Sequence, residues 1–390
     1  MNRAEALHPH PVTSAAAGTT KPLSRRRGFG LSAAAAILVL IAIVYGSLWM
    51  VASLHLRNGV LEWVAARQAE GYRISFAGLD LGGFPLAARV TILDPVVTAP
   101  DGRTFFWSWA GDRAAIEASP FRFDGITLRL AGEEALSINV GGKLKTYRGG
   151  ADEITLQTSA GLAPSSGGLT VRGLALTADE PGDAIRLERL SASSALSRQT
   201  APSGPEALLA VRIDALGLQL PQQLDLPLGN TLDEVAVDAT IRGLMHPFAN
   251  LRDGLERWRD GGGMVDFARL GFNYGPLTLS SVGTLSLDDA AQPVGTFTAR
   301  ILGFQQTIDA LADRGIIDGR VAGKARMALA LLSRKPPGAN APMLQVPLTL
   351  RERTLSVGPL SLLVVPEIEW PRGPNSQGGA LPAFRPKVSG

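Results

Sequence analysis

The sequence predicts a mainly β protein with a few helices (α+β), in which one N-terminal transmembrane helix precedes a long antiparallel curved sheet or a β-sandwich or open barrel. Three observations predict it. An uncharged apolar run spans Gly28–Leu54, apolar and polar residues alternate along most of the remaining chain, and glycine- and proline-rich turns separate the alternating segments. Alternation with a period of two places the apolar side chains on one face of a sheet.

Composition and charge exclude several classes of protein. The 390 residues contain no cysteine, which excludes disulfides, thiol catalysis and cysteine-ligated zinc. The net charge of +3 comes from the N-terminus, because residues 1–30 hold five of the 38 basic residues and one of the 35 acidic ones. The rest of the chain is close to neutral and has no run of Lys or Arg, so we expect no nucleic-acid partner.

Residues 1–27 are predicted to form a disordered cytoplasmic tail and residues 28–53 a transmembrane anchor. A helix of about 20 apolar residues crosses a bilayer, so the run is long enough. Arg25–Arg27 precedes it and predicts a cytoplasmic N-terminus, while Tyr45 and Trp49 fall near the far interface, where aromatic rings are enriched. We therefore expect a single-pass protein whose body lies outside the cytoplasmic membrane, which for a bacterial chain means an inner-membrane anchor and a periplasmic body. A cleaved signal peptide is the alternative.

Residues 54–246 are predicted to form the first β-rich part of the periplasmic body. A helix over about residues 54–70 continues from the anchor and ends at Gly71. Strands then follow in the alternating segments 72–76, 86–92, 105–109, 126–130, 136–140, 154–156, 174–176, 185–187, 207–220 and 234–241.

Residues 247–370 are predicted to form the second β-rich part, which contains helices. One helix begins at Pro247 and stops at three consecutive glycines. Another helical region spans 304–332 and is broken at Gly315, and strands lie between and after these helices. Residues 371–390 are predicted to form a disordered tail. The apolar face of the helix that begins at Pro247 consists of Phe248, Leu251, Leu255 and Trp258.

The stretch Gly82–Pro85 is interpreted as a corner between two strands. Glycine tolerates backbone angles closed to other residues, and proline cannot donate to a strand ladder, so the step ends one strand and redirects the chain into the next. Phe84 is expected to close the end of the apolar layer there. A hydrophobic groove is predicted to consist of Phe84, Phe105, Trp107 and Trp109. Ordinary core packing of the two tryptophans is the alternative.

The sequence contains no pattern typical of an active site. We find no nucleophile elbow, zinc-protease motif, phosphate-binding loop or dinucleotide fingerprint. Of the four histidines, only His246 lies in the body away from the membrane. The adjacent acidic pairs are expected to be solvated; they are Glu133–Glu134, Asp152–Glu153, Asp233–Glu234 and Asp288–Asp289. No catalytic, metal-binding or cofactor-binding residue is therefore assigned, and no cofactor is expected.

Several segments resemble an uncharacterised bacterial family, the domain of unknown function numbered 2125, found mainly in alphaproteobacteria. The segments are Gly71–Pro95 with its Gly83-Phe84-Pro85 step, Met264–Asp289 with its Gly275-Pro276-Leu277 step, and residues 293–301. The resemblance covers about residues 35–370 and implies no catalytic residues. The succession of strands is also similar to AsmA-type envelope proteins, which implies a long curled sheet associated with lipid traffic and envelope homeostasis.

Three functions remain open at this point. A one-sided apolar sheet must bury that face, and three helical segments are too few to cover about fifteen strands. The first hypothesis is therefore a non-enzymatic protein that handles lipids or other hydrophobic molecules in the envelope. The second is a scaffold or assembly partner of an envelope complex, with a closed core. The third is an exported enzyme with an unrecognised site. Alternation alone does not separate an open groove from a closed core.

Overall fold

The structure, a computed structural model, describes residues 27–100, 106–119, 125–140, 143–159, 166–178, 183–201, 204–243, 251–335, 342–357, 360–368 and 370. The helices in these residues are α1 (Arg27–Ala69), α2 (Leu251–Asp260), α3 (Phe304–Asp313) and α4 (Gly319–Leu332), with a 3-10 turn at Gln222–Leu224. The strands are β1 (Arg73–Ser75), β2 (Gly78–Gly82), β3 (Ala88–Leu93), β4 (Val96–Thr98), β5 (Trp107–Ala118), β6 (Gly125–Val140), β7 (Lys143–Gly150), β8 (Glu153–Ser159), β9 (Ser166–Thr177), β10 (Ala184–Ala201), β11 (Gly204–Gln219), β12 (Thr231–Arg242), β13 (Met264–Tyr274), β14 (Leu277–Leu287), β15 (Pro293–Leu302), β16 (Leu344–Arg351), β17 (Thr354–Val357) and β18 (Leu360–Val364).

Helix α1 contains an apolar segment and continues from it into the body, as predicted. Its part Ile37–Ala69 is long and apolar enough to cross a membrane. Most side chains from Ile37 to Ala52 are exposed, whereas Ser53, Val60 and Val64 are buried on the side that faces the first strands. One helix thus carries the potential anchor and, over its last turns, packs against the sheet.

The predicted corner at Gly82–Pro85 is the turn of a β-hairpin. Strands β1 and β2 are two halves of one interrupted strand, because they pair with β4 and β3 in a single register. Gly83 has a φ of 89°, and its carbonyl accepts a hydrogen bond from the Ala87 amide at 2.9 Å. A Cβ at Gly83 would lie 2.6 Å from the Ala87 carbonyl oxygen, so this turn requires glycine.

The described strands are paired antiparallel in the order of the chain. β3 and β4 both pair with β5, β6 pairs with β7 and β8, and these two pair with β9. From β9 to β18 each strand pairs with the next. The result is one up-and-down meander, which confirms the predicted long antiparallel sheet. The β12–β13 pair crosses position 246, so the parts predicted at 54–246 and 247–370 share this sheet.

Several strands of the first half are interrupted near their midpoints, and we call this line of interruptions the crease. At three places a glycine with positive φ lies against an acidic side chain, which belongs to the preceding strand at two of them and to the break between β7 and β8 at the third. At one of them the Asp112 carboxylate accepts a hydrogen bond from the Glu133 amide at 2.9 Å. Such interruptions bend a sheet and increase its twist. The three pairs are Gly132 with Asp112, Gly173 with Asp152, and Gly217 with Glu188.

Helices α2 to α4 pack against the second half of the sheet. As predicted, α2 ends before three glycines, and its buried Trp258 donates a hydrogen bond from Nε1 to the Arg242 carbonyl at 2.7 Å. The predicted start of this helix, at Pro247 and Phe248, lies outside the described residues. The helical region that follows divides around Gly315, as predicted, into α3 and α4. With β15 and β16, α3 forms the core cluster Ala299, Phe304, Leu344, Val346 and Leu348.

Candidate functional site

A row of apolar residues crosses the sheet from strand to strand. Directly paired residues of neighbouring strands lie on the same face, so the strand register identifies each row. The row begins on β3 beside α1 and ends on β16, and Ser281 is its one polar member. The members are Val90, Ile116, Leu128, Leu156, Leu169, Ala192, Ile213, Val237, Leu270, Ser281, Ala299 and Val346.

A second row runs beside the first, two residues away on every strand, and all its members are apolar. Because side chains of a strand alternate between faces, residues two apart share a face. We call these two rows the apolar track. The members of the second row are Ile92, Ala114, Leu130, Ile154, Val171, Leu190, Ala215, Val235, Phe272, Leu279, Ile301 and Leu344.

The opposite face of the same strands is polar and carries ion pairs. Glu117 on β5 accepts a hydrogen bond from Arg89 Nε at 2.5 Å. Asp238 on β12 accepts hydrogen bonds from Arg212 Nε at 2.5 Å and from Arg269 Nε at 3.1 Å. The arginines of these pairs stay exposed to solvent, so covering this face gains little, whereas covering the track face buries apolar surface.

The track is long because it uses most strands of the sheet. It includes every strand from β3 to β16 except β4 and β7, which lie beyond the crease. Neighbouring strands are about 4.8 Å apart, so a path over these twelve strands measures roughly 50 Å along the sheet. This distance exceeds the hydrocarbon thickness of a bilayer, about 30 Å.

Helices cover the track at its two ends and leave apolar surface accessible between them. At the first end Val90 is 0% exposed under α1, and at the last end Val346 is 5% exposed near α3 and α4. In the middle, Ile213 and Val237 are half-buried, and Val171 of the second row is buried. Leu156 is 44% exposed there. The middle of the track is therefore the part that can take an additional apolar partner.

Phe84, the first residue of the predicted groove, lies in the hairpin turn and contacts α1. Its ring centroid is 5.9 Å from that of Tyr45 and 5.4 Å from that of Trp49. The side chain is 57% exposed, so it does not close the apolar layer as expected. The two tryptophans of the predicted groove lie near the other end of the neighbouring strand β5.

Trp107 and Trp109 lie side by side on one face of β5, beyond the crease from the track, and both are half-buried. The Trp107 ring centroid is 6.3 Å from that of Tyr72. Trp109 Nε1 donates a hydrogen bond to Glu134 Oε2 at 2.8 Å. Phe105 lies outside the described residues, so the groove of four aromatic residues stays a prediction.

Glu134 is a buried acid that the sequence interpretation missed. It is 4% exposed, and its Oε1 has no hydrogen-bond partner among the described residues. Burial raises the pKa of Glu134 to about 7; the hydrogen bond from Trp109 lowers this pKa and the charge of Asp112 raises it. The group can therefore gain and lose a proton near neutral pH. The prediction of a solvated acidic pair is wrong for Glu134, although Glu133 is exposed.

A second buried acid, Asp183, has two hydrogen-bond donors. Its carboxylate accepts hydrogen bonds from Lys145 Nζ at 2.5 Å and from the Tyr147 hydroxyl at 2.7 Å. Burial raises the pKa of Asp183, but these bonds and the charge of Lys145 outweigh burial and hold the pKa below its usual value. Asp183 is 1% exposed, so this paired charge fixes the start of β10 against β7.

The family of the chain follows from a comparison with family models. A model described as an uncharacterized protein conserved in bacteria, domain of unknown function 2125, matches residues 49–366. The chain belongs to this family. The resemblance to this family is thereby confirmed, and the similarity to AsmA-type proteins stays a prediction. Comparisons with curated proteins and with solved structures gave no match.

The match to domain of unknown function 2125 includes the features described above. It starts at Trp49, so part of the contact between α1 and the hairpin turn lies inside it, and so does the whole apolar track. Among the described residues of this domain, no three His, Asp or Glu side chains form a group that could hold a metal ion. The track and the buried acids are thus the features from which a function can be argued.

Proposed function

We propose that this member of domain of unknown function 2125 binds the apolar chains of lipids along the apolar track, as a membrane-anchored periplasmic protein that acts without catalysis. The observation that carries the proposal is the continuity of the track from β3, beside α1, to β16. A lipid chain that leaves a bilayer beside α1 meets apolar surface at once. A role in envelope homeostasis, of the kind associated with AsmA-type proteins, follows from the same proposal.

The hydrophobic effect supplies the driving force for this binding. Each buried CH₂ group contributes about 0.8 kcal/mol, so a sixteen-carbon chain laid along the track gains up to about 12 kcal/mol before the entropy of ordering is subtracted. The half-buried middle of the track, which includes Ile213 and Val237, gains from the same contact. The polar face, with its ion pairs, offers no comparable gain.

Ala192 and Ser191 provide a matched pair of variants for the test. Ala192 is a half-buried track residue on β10, and its neighbour Ser191 is exposed on the polar face. Ala192→Trp fills the track without adding charge, whereas Ser191→Trp adds the same side chain to the other face. The full chain and both variants are extracted in mild detergent and purified, and co-purifying lipids are quantified by mass spectrometry alongside the melting temperature.

We expect bound lipid in the natural chain and in Ser191→Trp, and a loss of at least about twofold in Ala192→Trp at a similar melting temperature. A natural chain without lipid would contradict the proposal. If, in addition, Ala192→Trp melts far below the natural chain, the track is a sealed core that cannot take the larger residue. That result favours the scaffold hypothesis, which crosslinking in cells then tests by the partners it recovers.

A further inference from the structure

The turn of the β2–β3 hairpin, taken together with the last two residues of β2 as residues 81–87, is attached to the apolar part of α1. Trp49 Nε1 donates a hydrogen bond to the Ala87 carbonyl at 2.6 Å, and the Tyr45 hydroxyl donates one to the Pro85 carbonyl. The Phe84 ring stands edge-on against Trp49, at an interplanar angle of 85°. Side chains of the helix thus donate hydrogen bonds to backbone carbonyls of the turn. These bonds fix the position of the turn along the axis of α1.

The same turn exposes large apolar side chains. Leu81, Phe84 and Leu86 are 38%, 57% and 84% exposed, respectively. Leu86 has almost its full surface uncovered, next to a helix face that is itself exposed and apolar. In water the apolar surface of these side chains stays hydrated, which is unfavourable. A lipid environment removes all three side chains from water at once.

The position of the turn along α1 matches one boundary of a bilayer. A span of about 20 residues counted from Phe29 ends at Trp49, and Tyr45 lies one helical turn, or about 6 Å, inside that boundary. Tyr and Trp prefer this level of a membrane. Just above the turn, Arg89 and Arg129 both pair with Glu117, so two guanidinium groups lie at the level where the proposal places the lipid phosphates.

We propose that the hairpin turn is a second membrane contact, in which Phe84 and Leu86 insert into the lipid beside α1. The occupant of this apolar surface is the bilayer itself. The contact fixes the first strands of the sheet at the membrane surface, so that β3 starts there. This inference does not depend on whether the track binds lipid chains.

The absence of cysteine from the chain allows a direct test with single labels. Leu86→Cys places a fluorescent label on the turn. Leu144→Cys is the matched control, because Leu144 is also an exposed leucine, at 62%, but lies at the other end of the strands. Val44→Cys, on the apolar part of α1, serves as the depth reference. Each full-length variant is reconstituted into phosphatidylethanolamine–phosphatidylglycerol vesicles.

The readouts are quenching by nitroxide lipids and by iodide in the water. We expect the label at position 86 to be quenched by nitroxide lipids, like that at 44, and to be at least about threefold less accessible to iodide than that at 144. The proposal is overturned if the label at position 44 lies in lipid but iodide quenches the label at position 86 as strongly as the label at position 144. If the label at 44 also stays in water, α1 does not span and the inference fails with it. Lipid co-purification on the track is a separate measurement, so the two proposals can fail independently.

Discussion

Replacement of Glu134 by glutamine tests whether the buried carboxyl controls how stability depends on pH. Burial raises the pKa of Glu134 from 4.5 to about 7 in the folded protein. Between these two values the folded state keeps a proton that the unfolded state releases, so stability falls as pH rises through this window. Above pH 7 the carboxyl is ionised in both the folded and the unfolded state. The folded state then bears the full free-energy cost of a buried carboxylate.

The size of the effect follows from the shift of the pKa. One pKa unit corresponds to about 1.4 kcal/mol, so the ionised carboxylate costs up to roughly 3 kcal/mol above pH 7. The amide of Glu134→Gln has the same shape, still accepts from Trp109, and carries no charge. We expect the variant to match the natural chain near pH 5 and to exceed its stability at pH 8 by up to about 3 kcal/mol.

The measurement is denaturant unfolding of the purified full chain in detergent at pH values between 5 and 8. Glu133→Gln is the matched control, because Glu133 is the exposed neighbour. It removes an identical charge one residue away, and we expect it to leave the pH profile unchanged. If the natural chain and Glu134→Gln have parallel profiles over this range, the carboxyl is not desolvated in the folded state and the reasoning is refuted.

Three further predictions concern other parts of the chain. Asp183→Asn leaves Lys145 without its buried counter-charge, and we expect it to lower the free energy of unfolding by about 3 kcal/mol in denaturant. The control Asp225→Asn, at an exposed ion pair, is expected to lower it by less than about 1 kcal/mol. Equal losses would contradict the structural role of the buried pair. Gly83→Ala is expected to lower stability by at least about 1 kcal/mol, since its φ is positive and its Cβ meets the Ala87 carbonyl, while Gly82→Ala has open space and serves as the control in the same melts. Ala290→Cys places a thiol at the exposed β14–β15 turn. If the body is periplasmic, a membrane-impermeant maleimide labels this cysteine in intact spheroplasts. Labelling only after lysis would show that the body lies on the cytoplasmic side.

Local patterns predicted the elements well, because they depend on neighbouring residues. The apolar run before Leu54 predicted α1, and the glycines after Trp258 and at Gly315 predicted helix ends that the structure confirms. The alternation along β13 and β14 likewise predicted strands. For the site, the same logic failed at Glu134, since an acidic pair in isolation is typical of solvated charge. Glu134 is buried only because β5 pairs with β6. That pairing places Trp109 of β5 against the Glu134 carboxylate at the crease.

The sequence by itself determined an apolar N-terminal helix, a sheet with one apolar face, and turns at its glycine-proline steps. The tertiary structure decided which residues meet across strands, because register is a relation between segments far apart in the chain. It aligns Val90 through Val346 into one track, and a slip of a single residue on any strand would break it. It also decided that Phe84 reaches the helix at Trp49, since a hairpin turn takes its position from the partner against which its strands pack.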